Sequence, residues 1–253
     1  MPVTMDISLI FVYLDLLDID AFAAMIFAGA TITALILGIS FHEFSHAFTA
    51  DRLGDGLPRR MGRVTLNPLK HLDPAGTVLM ILIGFGWGKP VPINPGATAN
   101  PKGALAMTAG AGPVSNLAVA ALAGFPIKTG VAPWISPFNL GAFQDLAFGG
   151  WGAEEYLGLY LSSIVLFSLI LGVFNLLPIA PLDGFNLAVG LLPRDLSTPF
   201  ARLGQYGPLI LIILIALPIL TGGEVGILFA VMEPIIKALA ELFAGVGGND
   251  VFA

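Results

Sequence analysis

The stretch AFAAMIFAGATITALILGISFHEFSHAFTA, residues 21–50, decides the fold of this chain. It is apolar for most of its length, it contains no proline, and it carries His42, Glu43 and His46 near its end. A helix needs about 20 mostly apolar residues to cross the hydrocarbon core of a bilayer. The stretch therefore predicts a tilted membrane-spanning helix that brings ionisable side chains into an apolar setting.

The composition of the whole chain supports a membrane protein. Of its 253 residues, 56% are hydrophobic and 11% are charged, about half the charged fraction of an ordinary soluble domain. The net charge is -6, and no cluster of basic and aromatic residues favours nucleic acid as a partner. With no cysteine, disulfides, thiolate metal sites and cysteine nucleophiles are excluded. The lipid bilayer is the expected surrounding.

Further apolar segments predict a bundle. Residues 103–124 are rich in small residues that let membrane helices approach closely, residues 157–177 predict a third span, and residues 207–220 and 226–243 predict a hairpin. Residues 75–85 are too short to span, and a run rich in Gly and Pro follows them. The predicted fold is an all-α polytopic membrane protein, a helical bundle with a short re-entrant or β-like element after the first core span.

Three parts are expected along the chain. Residues 1–20 read as an N-terminal interfacial segment, because their apolar stretch is too short to span and is closed by acidic residues. Residues 21–204 form the core, and residues 205–253 form a C-terminal hydrophobic hairpin and tail. No segment is long and polar enough for an added soluble domain, which predicts a minimal form of the fold.

The distribution of basic residues predicts the orientation in the membrane. Nine of the 11 Lys and Arg fall in the two segments that this arrangement places inside, and cytoplasmic loops are enriched in these residues. The N-terminus is then external. His42 and His46 lie near the cytoplasmic end of one span, and Asp183 follows the cytoplasmic end of another. The topology therefore places all three side chains at a similar depth.

The run His42, Glu43, Phe44, Ser45, His46 is an H-E-x-x-H motif. On a helix, it sets two imidazoles on one face, where both can bind one zinc ion. Glu43 then lies beside the metal and can take a proton from a water that zinc makes acidic. With three His and six Glu in the chain, the motif would arise by chance on the order of once in a thousand shuffles. The pattern indicates metal-assisted hydrolysis.

A third zinc ligand must come from elsewhere, because catalytic zinc usually has three protein ligands and one open position. Asp183 is the leading candidate, since the topology brings it to the depth of the imidazoles. The alternative role for Asp183 is that of a turn or capping residue before Gly184, which is common for Asp-Gly.

Two motifs in this order resemble the site-2 protease family of intramembrane zinc metalloproteases, in its minimal form without PDZ or CBS domain. The first is His42 to His46. The second is N-x-x-P-x-x-x-x-D-G, formed here by Asn175, Pro178, Asp183 and Gly184. The run Gly112, Pro113, Val114, Ser115, Asn116 resembles a further family motif.

The resemblance implies that His42, His46 and Asp183 bind one zinc ion and that Glu43 activates water. It implies that Asn175 faces the substrate carbonyl or its oxyanion, where an amide donor is worth roughly 3 kcal/mol. Asn116 is carried over as a further catalytic residue. For both asparagines, the alternative role is a hydrogen bond that packs helices together.

The expected function is that of an intramembrane zinc metalloendopeptidase in a prokaryotic cytoplasmic membrane, with the zinc site near the cytoplasmic face. Its substrate would be a membrane protein with an unwound transmembrane segment, which residues 86–95 could hold by strand pairing unless they are a plain structural loop. A second copy of the chain or a regulatory partner is left open. The alternatives are a non-catalytic metal-binding protein or metal transporter, and a pseudoprotease that captures substrate without cleaving it.

Overall fold

The secondary structure of the chain is helical. The computed structural model describes residues 9–83, 86–139, 150–222 and 225–252, and within these ranges it contains no strand longer than an isolated bridge. The helices are α1 (Leu9–Ile19), α2 (Ala21–Arg52), α3 (Leu57–Arg60), α4 (Pro74–Ile83), α5 (Pro101–Lys128), α6 (Ala153–Asn175), α7 (Asp183–Leu191), α8 (Arg194–Leu203), α9 (Gly207–Leu220) and α10 (Ile227–Ala244). The predicted all-α class is confirmed.

Helix α2 is the 32-residue element that carries the H-E-x-x-H motif. Its N-terminus is capped by Asp20, whose carboxylate accepts hydrogen bonds from the backbone N–H of Phe22 at 2.7 Å and of Ala23 at 2.9 Å, as N-cap residues do. It contains no proline and ends at Arg52, just before Gly54, whose φ of 107° a side-chain-bearing residue rarely adopts.

Four helical stretches in the described residues are long and apolar enough to cross a membrane: Ala21–Arg52, Pro101–Lys128, Ala153–Asn175 and Arg194–Pro218. The first three match the spans predicted at 21–50, 103–124 and 157–177. The fourth begins before the predicted start at residue 207, because α8 continues through a short 3-10 turn into α9. Helix α8 carries Arg194, Asp195 and Arg202, so hydropathy alone did not reveal it.

The bundle centres on α2, α5 and α6, which pack against one another. Helices α2 and α6 run in the same direction, as two hydrogen bonds between them show. The hydroxyl of Tyr156 donates to Asp20 at 3.1 Å, and the hydroxyl of Tyr160, further along α6, donates to Thr33, further along α2, at 2.8 Å. Helix α5 connects them in the opposite sense. The largest buried apolar cluster joins α6 to α5 and α10, and includes Ala120, Leu166, Leu169, Val173, Ile236 and Ala240.

The short element predicted after the first core span is present. Helix α4 has 10 residues, half the length needed to cross a bilayer. The chain returns from it to form one antiparallel bridge between Leu72 and Gly88, next to which the N–H of Lys89 donates to the carbonyl of His71 at 2.6 Å. This return loop, residues 86–91, lies over the motif end of α2. The division at residues 20 and 204 stays a prediction.

Candidate metal centre

Three side chains from two distant parts of the chain converge at the inner face of α2. Nε2 of His42 lies 3.0 Å from Nε2 of His46, and Oδ2 of Asp183 lies 2.9 Å from the former and 3.1 Å from the latter. Both imidazoles are buried, and the carboxylate is half-buried. This is the one group of three or more His, Cys, Asp or Glu with metal-ligand spacing in the described ranges.

The triangle suits zinc. Ligand atoms of a tetrahedral zinc ion with bonds of about 2.0–2.1 Å lie roughly 3.3 Å from one another, and imidazole with carboxylate is a common donor set. The distances of 2.9–3.1 Å between these atoms are only slightly shorter. No thiolate competes for the role, because the chain has no cysteine.

The hydrogen-bond partners of His46 also favour a cation between His46 and Asp183. Nδ1 of His46 lies 2.6 Å from the carbonyl oxygen of Thr108, which can only accept, so Nδ1 carries the proton and donates. In the neutral ring, Nε2 then bears a lone pair, yet it faces a carboxylate oxygen of Asp183. Two acceptors in contact repel, and a shared cation satisfies both together with Nε2 of His42.

Two glycines make room for this arrangement. A Cβ atom on Gly112 of α5 would lie 2.4 Å from Nε2 of His46 and 2.8 Å from Cε1 of His42, so α5 can approach the imidazoles only with glycine there. A Cβ on Gly184 would lie 2.1 Å from the carbonyl oxygen of Leu176. The close approach at Gly184 lets α7 start directly against the end of α6 and directs Asp183 toward the imidazoles.

Asp183 is the first residue of α7, and the N-cap position is held by Leu182 without a side-chain cap. One oxygen of the Asp183 carboxylate instead lies 2.9 Å from Nε2 of His42 and 3.1 Å from Nε2 of His46. The geometry therefore favours the ligand role of Asp183 over the capping role.

Glu43, the predicted general base, is held by the return loop. Its Oε2 accepts a hydrogen bond from the backbone N–H of Val91 at 3.2 Å. The same oxygen lies 4.0 Å from Nη2 of Arg63. The carboxylate is thus oriented by a backbone donor and by a positive charge, both outside α2.

Arg63 connects the segment that contains Lys70 to the return loop through two hydrogen bonds. It is 5% exposed and donates to the carbonyl of Lys70 at 2.6 Å and to the carbonyl of Lys89. Burial lowers the pKa of its guanidinium and the charge of Glu43 raises it in part, but an arginine stays protonated. His71 supports the same loops: its buried ring donates from Nε2 to the carbonyl of Thr65 at 2.7 Å.

The two predicted asparagines have different surroundings. Nδ2 of Asn116 lies 3.0 Å from Nδ1 of His42, and the side chain is completely buried. Nδ2 of Asn175 donates instead to the carbonyl of Leu171 at 2.9 Å, one turn back on its own helix. Asn116 is therefore in contact with the metal site, whereas the role of Asn175 at an oxyanion stays a prediction.

Sequence reasoning missed three contributors to the site. Arg63 was counted only among the basic residues of the internal segments. Thr108 contributes a backbone carbonyl, which no residue type predicts. Gly112 was named only as part of a motif, without a role of its own. Only Gly112 carried a usable signal, because it begins the run that ends at Asn116.

Comparison with known proteins agrees with this geometry. The chain is 31% identical over 212 residues to a protein of Bacillus subtilis named "Putative zinc metalloprotease YwhC", with 84% of this chain and 91% of the relative aligned. The chain belongs to the site-2 protease family. This assignment confirms the resemblance carried by the two motifs.

Other members of the site-2 protease family are similar over most of the chain. A protein of Mycolicibacterium smegmatis named "Putative zinc metalloprotease Rip2" is 32% identical over 75% of this chain and 67% of its own length. Rip2 of Mycobacterium tuberculosis is 27% identical over 78% of this chain and 71% of its own length. No family model matches the chain, and no solved structure matches it.

Family membership, the spanning helices and the ligand cluster together describe a multi-pass membrane metalloprotease of the site-2 protease family. The cluster of His42, His46 and Asp183 is compatible with the zinc that the relatives' names specify.

Proposed function

We propose that this chain is an intramembrane zinc endopeptidase, which hydrolyses peptide bonds in or next to membrane-spanning segments of other proteins. The observation that carries the proposal is the convergence of His42, His46 and Asp183 within 3.1 Å of one another, on helices long and apolar enough to cross a bilayer. Glu43 directly follows the first ligand.

Each residue has a distinct task in the proposed reaction. His42, His46 and Asp183 would hold one zinc ion per chain, which supplies Lewis acidity toward a water and the scissile carbonyl. Glu43 takes the proton of the attacking water and passes it to the leaving amine. The N–H of Val91 and the charge of Arg63 keep the carboxylate of Glu43 in position, and Asn175 is proposed to donate to the oxyanion.

An apolar groove beside the site supports a membrane-embedded substrate. It has a volume of about 480 Å³ and is lined by residues of α5 and α7 with the ends of α2 and α6, among them Met107, Gly110, Val114 and Leu187. Leu187 lies one helical turn after Asp183, and Gly110 lies two residues before Gly112. Apolar side chains of an unwound segment can therefore be accommodated next to the ligands.

The orientation in the membrane is part of the proposal. The zinc site would lie near the cytoplasmic face of a prokaryotic cytoplasmic membrane, with the N-terminus outside, because the basic segments should be internal. Water then reaches the site from the cytoplasm. We further propose that substrate binds along residues 86–95 and that a second copy of the chain or another protein regulates the enzyme.

The test is cleavage of membrane-spanning peptides by the purified protein in lipid nanodiscs. The panel carries apolar segments with and without helix-breaking residues, and products are mapped by mass. We expect cleavage within or next to the apolar segment that a chelator abolishes and added zinc restores. The Glu43→Gln variant should lose roughly 100- to 10,000-fold in rate, the usual contribution of a general base, and should retain its zinc.

The matched control is Glu241→Gln, the same substitution at an exposed glutamate on α10. It should cleave like the wild type. Absence of any metal-dependent product from the whole panel would contradict the proposal. Metal flux into liposomes that persists in Glu43→Gln would favour the transporter alternative, and capture of peptides without cleavage would favour the pseudoprotease.

A further inference from the structure

We propose that Asn116 is a positioning residue for the metal site, whose side-chain oxygen accepts a hydrogen bond from Nδ1–H of His42. This bond would keep Nε2 of His42 free of a proton and able to bind zinc. The inference rests on the zinc site itself, and not on which substrate is cleaved. It assigns Asn116 a role as hydrogen-bond acceptor toward a zinc ligand, different from the catalytic role that the family resemblance suggested.

The Nδ1 atoms of the two imidazoles, which face away from the proposed metal position, have different partners. Nδ1 of His46 faces a backbone carbonyl, that of Thr108, at 2.6 Å. A carbonyl accepts and cannot donate, so this contact alone fixes the proton of His46 on Nδ1 and leaves Nε2 for a metal. Nδ1 of His42 instead faces the side-chain amide of Asn116 at 3.0 Å.

An amide side chain can satisfy either tautomer of its partner. With Nδ2 toward His42, as in this structure, the amide donates to Nδ1 and the ring proton sits on Nε2. That proton occupies the position that a zinc ion needs. With the amide rotated by half a turn about its terminal bond, Oδ1 faces His42, accepts from Nδ1–H, and leaves the lone pair on Nε2.

The surroundings of Asn116 favour the rotated orientation once metal is bound. Its Oδ1 is buried and has no hydrogen-bond partner among the described residues, whereas buried acceptors in proteins are nearly always paired. Rotation gives this oxygen a donor and moves Nδ2 to the place that the oxygen held. The proton that zinc binding at Nε2 requires on Nδ1 of His42 therefore decides between the two orientations. Rotation changes neither the volume nor the outline of the side chain, so the close packing around Asn116 does not oppose it.

The acceptor role predicts a contrast between two substitutions of similar shape. Asn116→Asp keeps an oxygen toward His42 and loses the N–H donors, whereas Asn116→Leu keeps the volume and loses both. We measure zinc affinity of the purified full chain in detergent by competition with a chelator. The Leu variant should bind zinc roughly 10- to 100-fold more weakly, as loss of a ligand's hydrogen-bond partner usually causes. The Asp variant should bind at least as tightly as the wild type.

The control is Ser115→Ala. Ser115 precedes Asn116 on the same helix, but its hydroxyl donates back to the carbonyl of Gly112 at 2.7 Å. Zinc affinity should not change in this variant. If Asn116→Leu does not fold, as judged by gel filtration and thermal unfolding, Asn116→Ala serves in its place and should show the same loss.

Two results would overturn the inference. Equal loss of zinc affinity in the Asp and Leu variants would show that the donor or the packing matters. Unchanged zinc affinity in both, with cleavage lost, would assign Asn116 to the substrate oxyanion. A wild-type protein that binds zinc but cleaves no peptide would contradict the proposed function and leave the affinity contrast, and this inference, intact.

Discussion

At the scale of single residues, the absence of a side chain at position 112 matters to the candidate site as much as the three proposed ligands do. A Cβ on Gly112 would lie 2.4 Å from Nε2 of His46, closer than any van der Waals contact allows. Gly112→Ala should therefore displace one or both imidazoles and lower zinc affinity by roughly tenfold or more. Chelator competition on the purified variant measures the effect.

The control for this prediction is Gly29→Ala. A Cβ on Gly29, in the first half of α2, would meet nothing within 4 Å, so zinc affinity should stay that of the wild type. An equal loss in both variants would mean that alanine perturbs the helices in general, and the assigned contact between α5 and the imidazoles would be wrong.

The third ligand can be tested by Asp183→Asn, which preserves the shape of the side chain and removes its charge. Neutral amide oxygen is a poor zinc ligand, so zinc affinity should fall at least roughly 100-fold. The matched variant Asp195→Asn changes an exposed aspartate on α8 and should bind zinc normally. Zinc bound as tightly by Asp183→Asn as by the wild type would remove Asp183 from the ligand set.

The three proposed ligands could be identified from the sequence because their signals are local. The spacing of His42 and His46 fixes one helix face, and the second motif marks Asp183. The carbonyl of Thr108 could not be predicted, because every residue has a carbonyl and only the packing of α5 on α2 directs this one to His46. Contact between Asn116 and His42 likewise depends on helix packing, although the motif had already singled out Asn116.

At the scale of elements, the return loop positions Glu43, and Arg63 anchors the loop. Replacing Arg63 by Met removes the donors to the carbonyls of Lys70 and Lys89, a cost of about 1–3 kcal/mol for each buried acceptor left unpaired. We expect faster hydrogen exchange at the amides of Lys89 and Val91. Cleavage should fall by roughly 100-fold, as for a misplaced catalytic group, while zinc stays bound.

The matched substitution is Arg60→Met, at an exposed arginine of the same loop region. In this variant, neither the hydrogen exchange of the Lys89 and Val91 amides nor the rate of cleavage should change. Unaltered exchange in residues 86–91 of Arg63→Met would show that the loop is held without Arg63.

The elements themselves were predictable to the extent that hydropathy defines them. Helix α2 and the two other core spans follow from long apolar runs, and the short α4 follows from a run too brief to span. Helix α8 was not predicted, because its polar residues lower the mean hydropathy. Only its continuation into α9 produces a stretch long enough to cross the membrane. The burial of Arg63 was not predicted either, because the residue lies in a basic loop and only tertiary packing covers it.

At the scale of the whole molecule, the orientation in the membrane can be tested with single cysteines, because the chain has none of its own. Met61 and Val131 are exposed, at 57% and 62%, and lie in the loops after α2 and α5. A cysteine at 61 should react with an impermeant thiol reagent only from the cytoplasmic side, and one at 131 only from outside. The reverse pattern would invert the proposed topology.

The overall arrangement was predictable in outline, since alternating spans and the positive-inside rule place both motifs at one end of the bundle. The antiparallel packing of α5 between α2 and α6 agrees with that alternation. Motif spacing alone could not predict how closely the three ligands converge, because their convergence requires the close approach of backbone at Gly112 and Gly184.

The most direct test of the central claim is X-ray absorption at the zinc edge on the purified wild-type protein. We predict one zinc per chain, bound by four nitrogen or oxygen atoms at about 2.0–2.1 Å, with the outer-shell scattering of two imidazole rings, those of His42 and His46. Zinc surrounded by oxygen atoms alone, by one imidazole or by three would contradict the shared site with Asp183.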